Sequence, residues 1–467
     1  MPPFGLAFRR AYSHSISKSC LRDTEPYAAA LVPHMKNFRS STLEVIFCLV
    51  VFVLVNTLSS YFQPRISVNE GKGWDGSIYY GMAEQITKGE PIQAAKTWCF
   101  RLGVPFLAAL VSGHNLILGF RIVNLAANVL TLVLFVIWIR LFINDWRIRC
   151  LLVLLLLTQW HGPFRFVYYY PILTEYTYYS LLLLGLLCIH LARTRLLVGV
   201  ACLGLVVFFG VAFRETLFLL AVMMPFADNP IVFNGFLDNL VTFQFANVVR
   251  MPRRVYWLPI LLGLLSFVLV RLVAHPSTSY SFVRSALGTF YCKPWWTCIL
   301  GVFAAYGPIL VLLIYNWRRS WAFLASNQPL LVFMAASGVL AYVGGSDTER
   351  YCYWAMPVTY VLIGKAIEDN RILLQSKALL LVICLTQAIS QRLFWTLPAD
   401  PYKYPSPLPI LTIPSSRFHY FDLYSAYSLP GEFSRVIMAI SFAQYVLLAV
   451  LILWWLSYRE KRQIGRP

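Results

Sequence analysis

The stretch LILGFRIVNLAANVLTLVLFVIWI, residues 116–139, carries a single charge, Arg121. An α-helix needs roughly 20 predominantly apolar residues to cross the hydrocarbon core of a bilayer. Runs of this kind recur along all 467 residues, and that recurrence constrains the fold more than any motif does. A membrane β-barrel shows short segments of alternating hydrophobicity instead, and none dominate here. Composition agrees: 59% of residues are hydrophobic, 13% are charged and the mean hydropathy is +0.64, whereas a soluble domain carries roughly 25% charged residues. The expected fold is all-α, a polytopic transmembrane helical protein.

Apolar length and periodicity place spans at 43–61, 116–139, 151–166, 176–191, 196–213, 216–226, 256–273, 296–315, 330–343, 353–367, 378–393 and 436–456, about twelve in all. Basic residues cluster between them. Arg140, Arg147 and Arg149, then Arg193 and Arg195, Arg250, Arg253 and Arg254, Arg318 and Arg319, and Lys365, Arg371 and Lys377 all fall on the side of the N-terminus. The positive-inside rule makes that side cytoplasmic, with both termini on it. A net charge of +19 and a pI near 9.6 thus report orientation and an affinity for anionic headgroups or lipid phosphates, not for nucleic acid. Residues 102–111 are apolar but too short to cross, and are expected on the outer surface. The organisation is a basic cytoplasmic tail at 1–42, one transmembrane domain at 43–457 and a basic cytoplasmic tail at 458–467. The outer loops are 62–115, 274–295 and 394–434.

The polar, basic start contains no apolar signal-peptide core. It is expected to be a cytoplasmic tail, with Met35 as an alternative first residue. The proline- and aromatic-rich loop 394–434 reads either as a lid or acceptor-binding loop or as a surface loop anchored by tyrosines. Of ten cysteines, Cys48, Cys188, Cys202 and Cys384 fall inside apolar runs and act as small hydrophobes. Cys99 and Cys292 fall in outer loops, and sequence leaves open whether they pair. No cysteine or histidine spacing of a metal site occurs.

On this threading Asp75, Arg101, Glu175, Arg214, Glu215, Asp347, Glu349 and Arg350 all fall at outer ends of spans or in outer loops. Ionisable groups beside lipid are expensive, so they mark either function or mutual pairing. The simplest pairing joins neighbours, Glu215 to Arg214 and Glu349 to Arg350. In GWDGSIYYGMAEQITKG, residues 73–89, the row Ile78, Met82, Ile86 describes an interfacial amphipathic helix with Asp75 at its cap position. Asp75 is thus either a cap or a chemical carboxylate ringed by Trp74, Tyr79 and Tyr80. Thr174 and Glu175 read as a cap and first-turn acid of the next span, or as a second carboxylate beside Asp75. Ser346 and Glu349 match a capping box. Arg101 and Arg350 are the candidates for an anionic headgroup, because guanidinium suits phosphate. Arg165, Arg284 and Lys293 rank behind them.

The acidic residue soon after the first span, the interfacial helix and the Arg101-Leu102-Gly103-Val104-Pro105 segment resemble the GT-C class of integral-membrane glycosyltransferases. Arg214-Glu215 and the Asp347, Arg350-Tyr351 group also resemble features of bacterial members. The resemblance implies a polyprenyl- or dolichyl-phosphate sugar donor, with Asp75 as the catalytic base or a metal ligand beside it. The candidate substrate-binding residues are Tyr79, Arg101, Glu175, Asp347 and Arg350. No cofactor is certain; a divalent metal is left open, with Asp75 and Glu175 as its ligands if one binds. The expected partners are membrane lipids, the lipid-linked donor and an acceptor glycan, lipid or protein. The expected location is a bacterial inner membrane. The alternatives are a multi-pass transporter or flippase of a lipid-linked or anionic substrate, a glycan polymerase or ligase, and a non-catalytic scaffold.

Overall fold

The computed structural model describes residues 38–227 except 97, 114 and 161; residues 254–393 except 280, 294, 345–347, 372–375 and 392; and residues 399, 443, 446, 447 and 449–458. Asp347, the capping-box Ser346, both tails beyond these limits and nearly all of loop 394–434 lie outside them. The chain divides into Met1–Val45 and Ile46–Pro467. The described part of the first unit is the start of helix α1, Phe38–Phe62; everything below belongs to the second.

That second unit is helical almost throughout. The interfacial helix α2, Asp75–Lys88, leads to a short strand β1, Ile92–Ala94, and then to α3, Gly103–Val111. Long helices follow: α4 Leu116–Arg140, α5 Trp146–Thr158 with the two-turn extension α6 Pro163–Tyr169, α7 Glu175–Ala192 and α8 Leu196–Phe213. The next elements are α9 Phe218–Met223, α10 Trp257–Val273, the strand β2 Ala274–Pro276 and α11 Phe282–Cys292. The remainder comprises α12 Trp296–Tyr306, α13 Val311–Tyr315, α14 Trp317–Ser326, α15 Gln328–Val343, α16 Thr348–Tyr353, α17 Met356–Asp369 and α18 Lys377–Ser390.

Among the described residues, six helices are long and apolar enough to cross a membrane, or up to eight spans if each of two bent pairs is one. The protein is a multi-pass integral membrane protein. Two of the expected spans form broken or short helices. The stretch expected as one span at 296–315 breaks into Cys298–Tyr306 and Pro308–Tyr315 at 108°. Gly307, at φ +79°, makes the break, and Pro308 starts the next turn without an N–H to satisfy. Helix α14 turns 115° to α15. The stretch expected at 216–226 is a six-residue α-helix flanked by single 3₁₀ turns.

Breaks inside an apolar body leave backbone groups that lipid cannot satisfy. Buried amides supply the partners. Gln387 Nε2 donates to the Tyr306 carbonyl at 2.7 Å and its Oε1 accepts from Ile309 N–H at 3.2 Å, bridging the Gly307 break. Gln159 donates to the Ala305 carbonyl. On α4, Asn124 donates to the carbonyls of Pro171 and Leu173, and Asn128 to that of Pro163. These bonds bring the 159–174 turn to α4.

Loops far apart in sequence meet at the two ends of the helices. At one end β1 pairs in parallel with β2, Ile92 opposite Ala274, and Ser67 donates to the Ala399 carbonyl through both its N–H and its hydroxyl. At the other end Arg371 pairs with Asp145 at 3.1 Å and Arg319 with Asp369 at 3.5 Å. Cys99 is a buried free thiol, whose Sγ donates to the Lys96 carbonyl; the side chain of Cys292 lies outside the described residues.

Candidate functional site

The chain approaches Asp75 through an unusual turn. Asn69, Glu70, Gly71 and Gly73 all have positive φ, at 49°, 58°, 84° and 73°. For the two non-glycine residues this conformation costs on the order of 1–2 kcal/mol each. The Asn69 side chain donates to the Gly73 carbonyl at 2.8 Å and holds the turn. A Cβ on Gly73 would fall on the ring of Tyr170, so glycine is needed there for space as well as for φ. Helix α2 then starts at Asp75 itself, with Trp74 in the cap position and no side-chain cap bond. Asp75 is therefore the first helical residue, not the cap residue that the sequence suggested. Its half-buried carboxylate sits in the first turn, where the helix N-terminus favours negative charge. Thr174 likewise makes no side-chain cap bond to α7.

The Tyr168-Tyr169-Tyr170 turn packs on this approach. The Tyr170 hydroxyl accepts from Gly76 N–H at 2.7 Å, and Ile66 N–H donates to the Tyr169 carbonyl at 2.9 Å. The Tyr176 hydroxyl fixes the turn from behind by donating to the Tyr170 carbonyl at 2.7 Å. Burial raises the pKa of Tyr170, and the nearby charge of Asp75 raises it further, while Arg350 pulls it down. Asp75, next to Gly76, and Arg350, bonded to Glu175 Oε1, thus both flank this turn.

The remaining ionisable groups form two ion-pair clusters. Arg101 makes a two-pronged pair with Glu215, Nη2 to Oε1 at 2.6 Å and Nε to Oε2 at 3.0 Å, and its Nη1 donates to the Tyr79 hydroxyl at 3.1 Å. Tyr79 is fully buried on α2, and burial raises its pKa against the pull of Arg101. Burial alone would push the Glu215 carboxyl up, but Arg101 outweighs it and holds the group at about 2. Glu215 nevertheless keeps 38% of its side chain open to its surroundings.

In the second cluster one oxygen, Glu175 Oε1, accepts from two guanidiniums, Arg214 Nη1 at 2.7 Å and Arg350 Nη2 at 3.1 Å. Arg214 is almost completely buried and lies 4.4 Å from the Trp354 ring and 5.7 Å from the neighbouring Tyr178 ring. The other Glu175 oxygen, buried too, has no hydrogen-bond partner among the described residues.

Arg214 and Arg350 therefore pair across the fold with Glu175, and Glu215 pairs with Arg101, in place of the expected neighbour pair Arg214–Glu215. Asp75, Tyr79, Arg101, Glu175 and Arg350 are brought to one end of the helices. Arg214, Glu215 and Tyr170 complete the group. Arg214 and Glu215 were visible as an Arg-Glu pair at the end of an apolar run; nothing in the spacing singled out Tyr170. Arg165 and Lys293 serve the backbone instead: Arg165 donates to the Thr158 and Gln391 carbonyls, Lys293 to that of Ala341. Arg284 is exposed on α11.

A divalent cation does not fit the Asp75 and Glu175 pair, because two guanidiniums already crowd Glu175 and would repel it. Among the described residues no three His, Cys, Asp or Glu side chains come together to hold a metal. Comparison with family models, curated proteins and solved structures finds no match for the chain.

Proposed function

We propose that the protein is a GT-C-like membrane glycosyltransferase of about twelve spans. It moves a sugar from a polyprenyl-phosphate-linked donor to an acceptor hydroxyl at the non-cytoplasmic face, with both termini cytoplasmic, in a bacterial inner membrane. The 168–175 turn, which bonds the helix start beside Asp75 through the Tyr170 hydroxyl and bonds Arg350 through Glu175, supports this most directly. It gives one place a carboxylate and a guanidinium, which are the two charges the transfer needs.

The acceptor oxygen forms a bond to the sugar's anomeric carbon while that carbon's bond to the donor phosphate breaks. The electron pair leaves with the polyprenyl phosphate. Asp75 accepts the acceptor proton, worth roughly 10²–10⁴-fold. Arg350 faces the departing phosphate as a preorganised positive charge. Arg101 shapes the wall from behind, since its Nε, Nη1 and Nη2 are all engaged by Glu215 and Tyr79. The apolar body holds the polyprenyl tail at about 0.8 kcal/mol per buried methylene. No nucleotide-binding motif is required, since the donor carries its own leaving group.

Purified protein should retain a polyprenyl-phosphate species detectable by mass spectrometry and transfer its sugar to added acceptor. Asp75→Asn should keep the lipid and lose transfer; Arg350→Ala should lose the lipid. Transfer unchanged in Asp75→Asn, or no such lipid in the wild type, overturns the proposal.

A carrier of a lipid-linked or anionic substrate is the second reading, favoured by the helix pair bent 108° at Gly307. It predicts movement of intact lipid across vesicles with no chemical change in it.

A further inference from the structure

Between α10 and α12 the chain forms α11, Phe282–Cys292, with the sequence FVRSALGTFYC. Its start is capped, the Ser281 side chain accepting from Arg284 N–H at 3.3 Å. Val283, Leu287, Phe290 and Tyr291 stand at helical spacings of four, seven and eight, which puts them on one face. Ser285 and Thr289 stand on the opposite face, with Arg284 at the border. The helix is amphipathic, yet its apolar face does not turn into the protein. The four apolar side chains are each 50–80% exposed.

The C-terminal end of α11 is pinned to α15. Phe290 meets the Tyr342 ring edge-on at 5.5 Å, the Tyr342 hydroxyl donates to the Lys293 carbonyl at 2.9 Å, and Lys293 Nζ donates to the Ala341 carbonyl at 2.8 Å. Helix α15 ends here and leads to α16, which carries Arg350. Helix α11 therefore lies at the ion-cluster end of the molecule.

Two arguments identify what covers the exposed face. Helices shorter than about 12–15 residues are marginal in water and depend on packing of an apolar face. Helix α11 has 11 residues, and the protein leaves that face open. The face is also continuous with surface that meets lipid. Val339, one turn before Tyr342 on α15, is exposed, as are Leu269, Leu272 and Val273 at the end of α10. Tyr291 and Trp295, both exposed, are rings suited to the headgroup level. An exposed apolar face rimmed by polar residues marks a contact surface, and the surface at hand is the bilayer.

We propose that α11 is a second interfacial helix, lying in the leaflet at the ion-cluster end with Val283, Leu287 and Phe290 among the acyl chains and Ser285 and Thr289 toward water. The partner is the phospholipid surface as a whole, not a discrete lipid. The inference is independent of the glycosyltransferase proposal.

The test uses the full chain in phosphatidylcholine bilayer discs, with photoreactive p-benzoylphenylalanine placed at position 287 or, separately, at position 285. After irradiation, mass spectrometry of peptides identifies what each ring has joined. Position 287 should carry a phospholipid adduct and position 285 should carry little. A ring at 287 joined to the protein's own 394–434 segment or to a second copy overturns the proposal, as does equal lipid attachment at both positions or none at either. Trypsin gives a second measurement, since Arg284 is the one basic residue within α11 and Lys293 precedes Pro294. In discs Leu287→Asp should speed cleavage after Arg284 by about tenfold, the factor for losing one leucine side chain from an apolar contact. Ser285→Asp, on the polar face, should not. Cleavage of Leu287→Asp no faster than wild type, or equal acceleration in both variants, overturns the proposal.

Discussion

Arg101 grips Glu215 across 114 residues of chain through two parallel hydrogen bonds, Nη2 to Oε1 at 2.6 Å and Nε to Oε2 at 3.0 Å. The pair ties the loop before α3 to the turn after α8. It also stands the Tyr79 hydroxyl beneath Arg101, and so fixes the interfacial helix that begins at Asp75. Breaking a fully buried pair by removing one partner costs about 3–5 kcal/mol. Glu215 is partly open, so screening lowers the expectation to about 1–3 kcal/mol for Arg101→Met. The double variant Arg101→Met/Glu215→Leu should recover a large part of that loss. A double-mutant cycle on detergent-solubilised protein measures the coupling.

The same pair sets a pH window. Glu215 is held at about 2 by Arg101 against burial, while an unfolded glutamate titrates near 4.3. A depressed folded value means stability that is complete above the unfolded value and is lost as pH falls through the folded one. The melting-temperature difference between wild type and Glu215→Gln should therefore stay constant from about pH 8 to pH 5.5 and shrink below pH 4.3. A difference that instead grows toward low pH would show that Glu215 is not held down by Arg101.

Gly73 permits the closest approach in the site. Gly73→Ala forces both a disfavoured φ, +73° in the native turn, and a clash with the Tyr170 ring. Tyr170→Phe removes only the acceptor of the Gly76 N–H bond, an expected cost of about 1–3 kcal/mol. Gly73→Ala should be the more damaging of the two, and limited proteolysis should show it first as cleavage within 62–75.

The apolar pattern showed the long helices α4, α7, α8 and α10 almost residue for residue, because a span of lipid-facing side chains has few alternatives. It did not show the break at Gly307. There an apolar run continues unbroken in composition, and side-chain amides distant in the chain, Gln387 on Tyr306 and Gln159 on Ala305, make the turn affordable in lipid. The ionisable residues were legible as a set, since charge beside lipid is conspicuous. Their partners were not. Pairing depends on which helix ends meet, and sequence adjacency suggested Arg214–Glu215 where packing gives Arg214–Glu175. The cap at Asp75 failed for a local reason: the left-handed turn brings Trp74, not Asp75, to the cap position.

Gln387→Leu should accordingly destabilise the protein although it makes an apolar helix more apolar. It leaves the Tyr306 carbonyl and the Ile309 N–H without their partner. At about 1–3 kcal/mol for each buried unsatisfied group, a loss of about 2–6 kcal/mol is expected for the two. Thr386→Leu, one residue away and bonded only within its own helix, is the control and should cost much less. Thermal unfolding in one detergent compares the two.

Glu175 and Asp75 should separate structure from chemistry. Glu175 is buried and pairs with two guanidiniums, Arg214 and Arg350, at 2.7 and 3.1 Å. Glu175→Gln removes that charge and leaves the two arginines facing each other, with Arg214 shut against Trp354 and unable to reach water. An uncompensated buried charge of this kind costs about 3–5 kcal/mol, so the variant should lose its sharp gel-filtration peak or melt far below wild type. Asp75 is only half buried at a helix start. Asp75→Asn preserves its shape and gives up a helix-dipole contribution of about 0.3–1 kcal/mol, so the fold should survive. On the proposed mechanism that variant still loses sugar transfer by roughly 10²–10⁴-fold, and raising the pH should not restore it, because asparagine has no carboxylate to regain. A Glu175→Gln protein as stable as wild type would mean that the two arginines are neutralised by some other group. An active Asp75→Asn protein would remove the base from the mechanism.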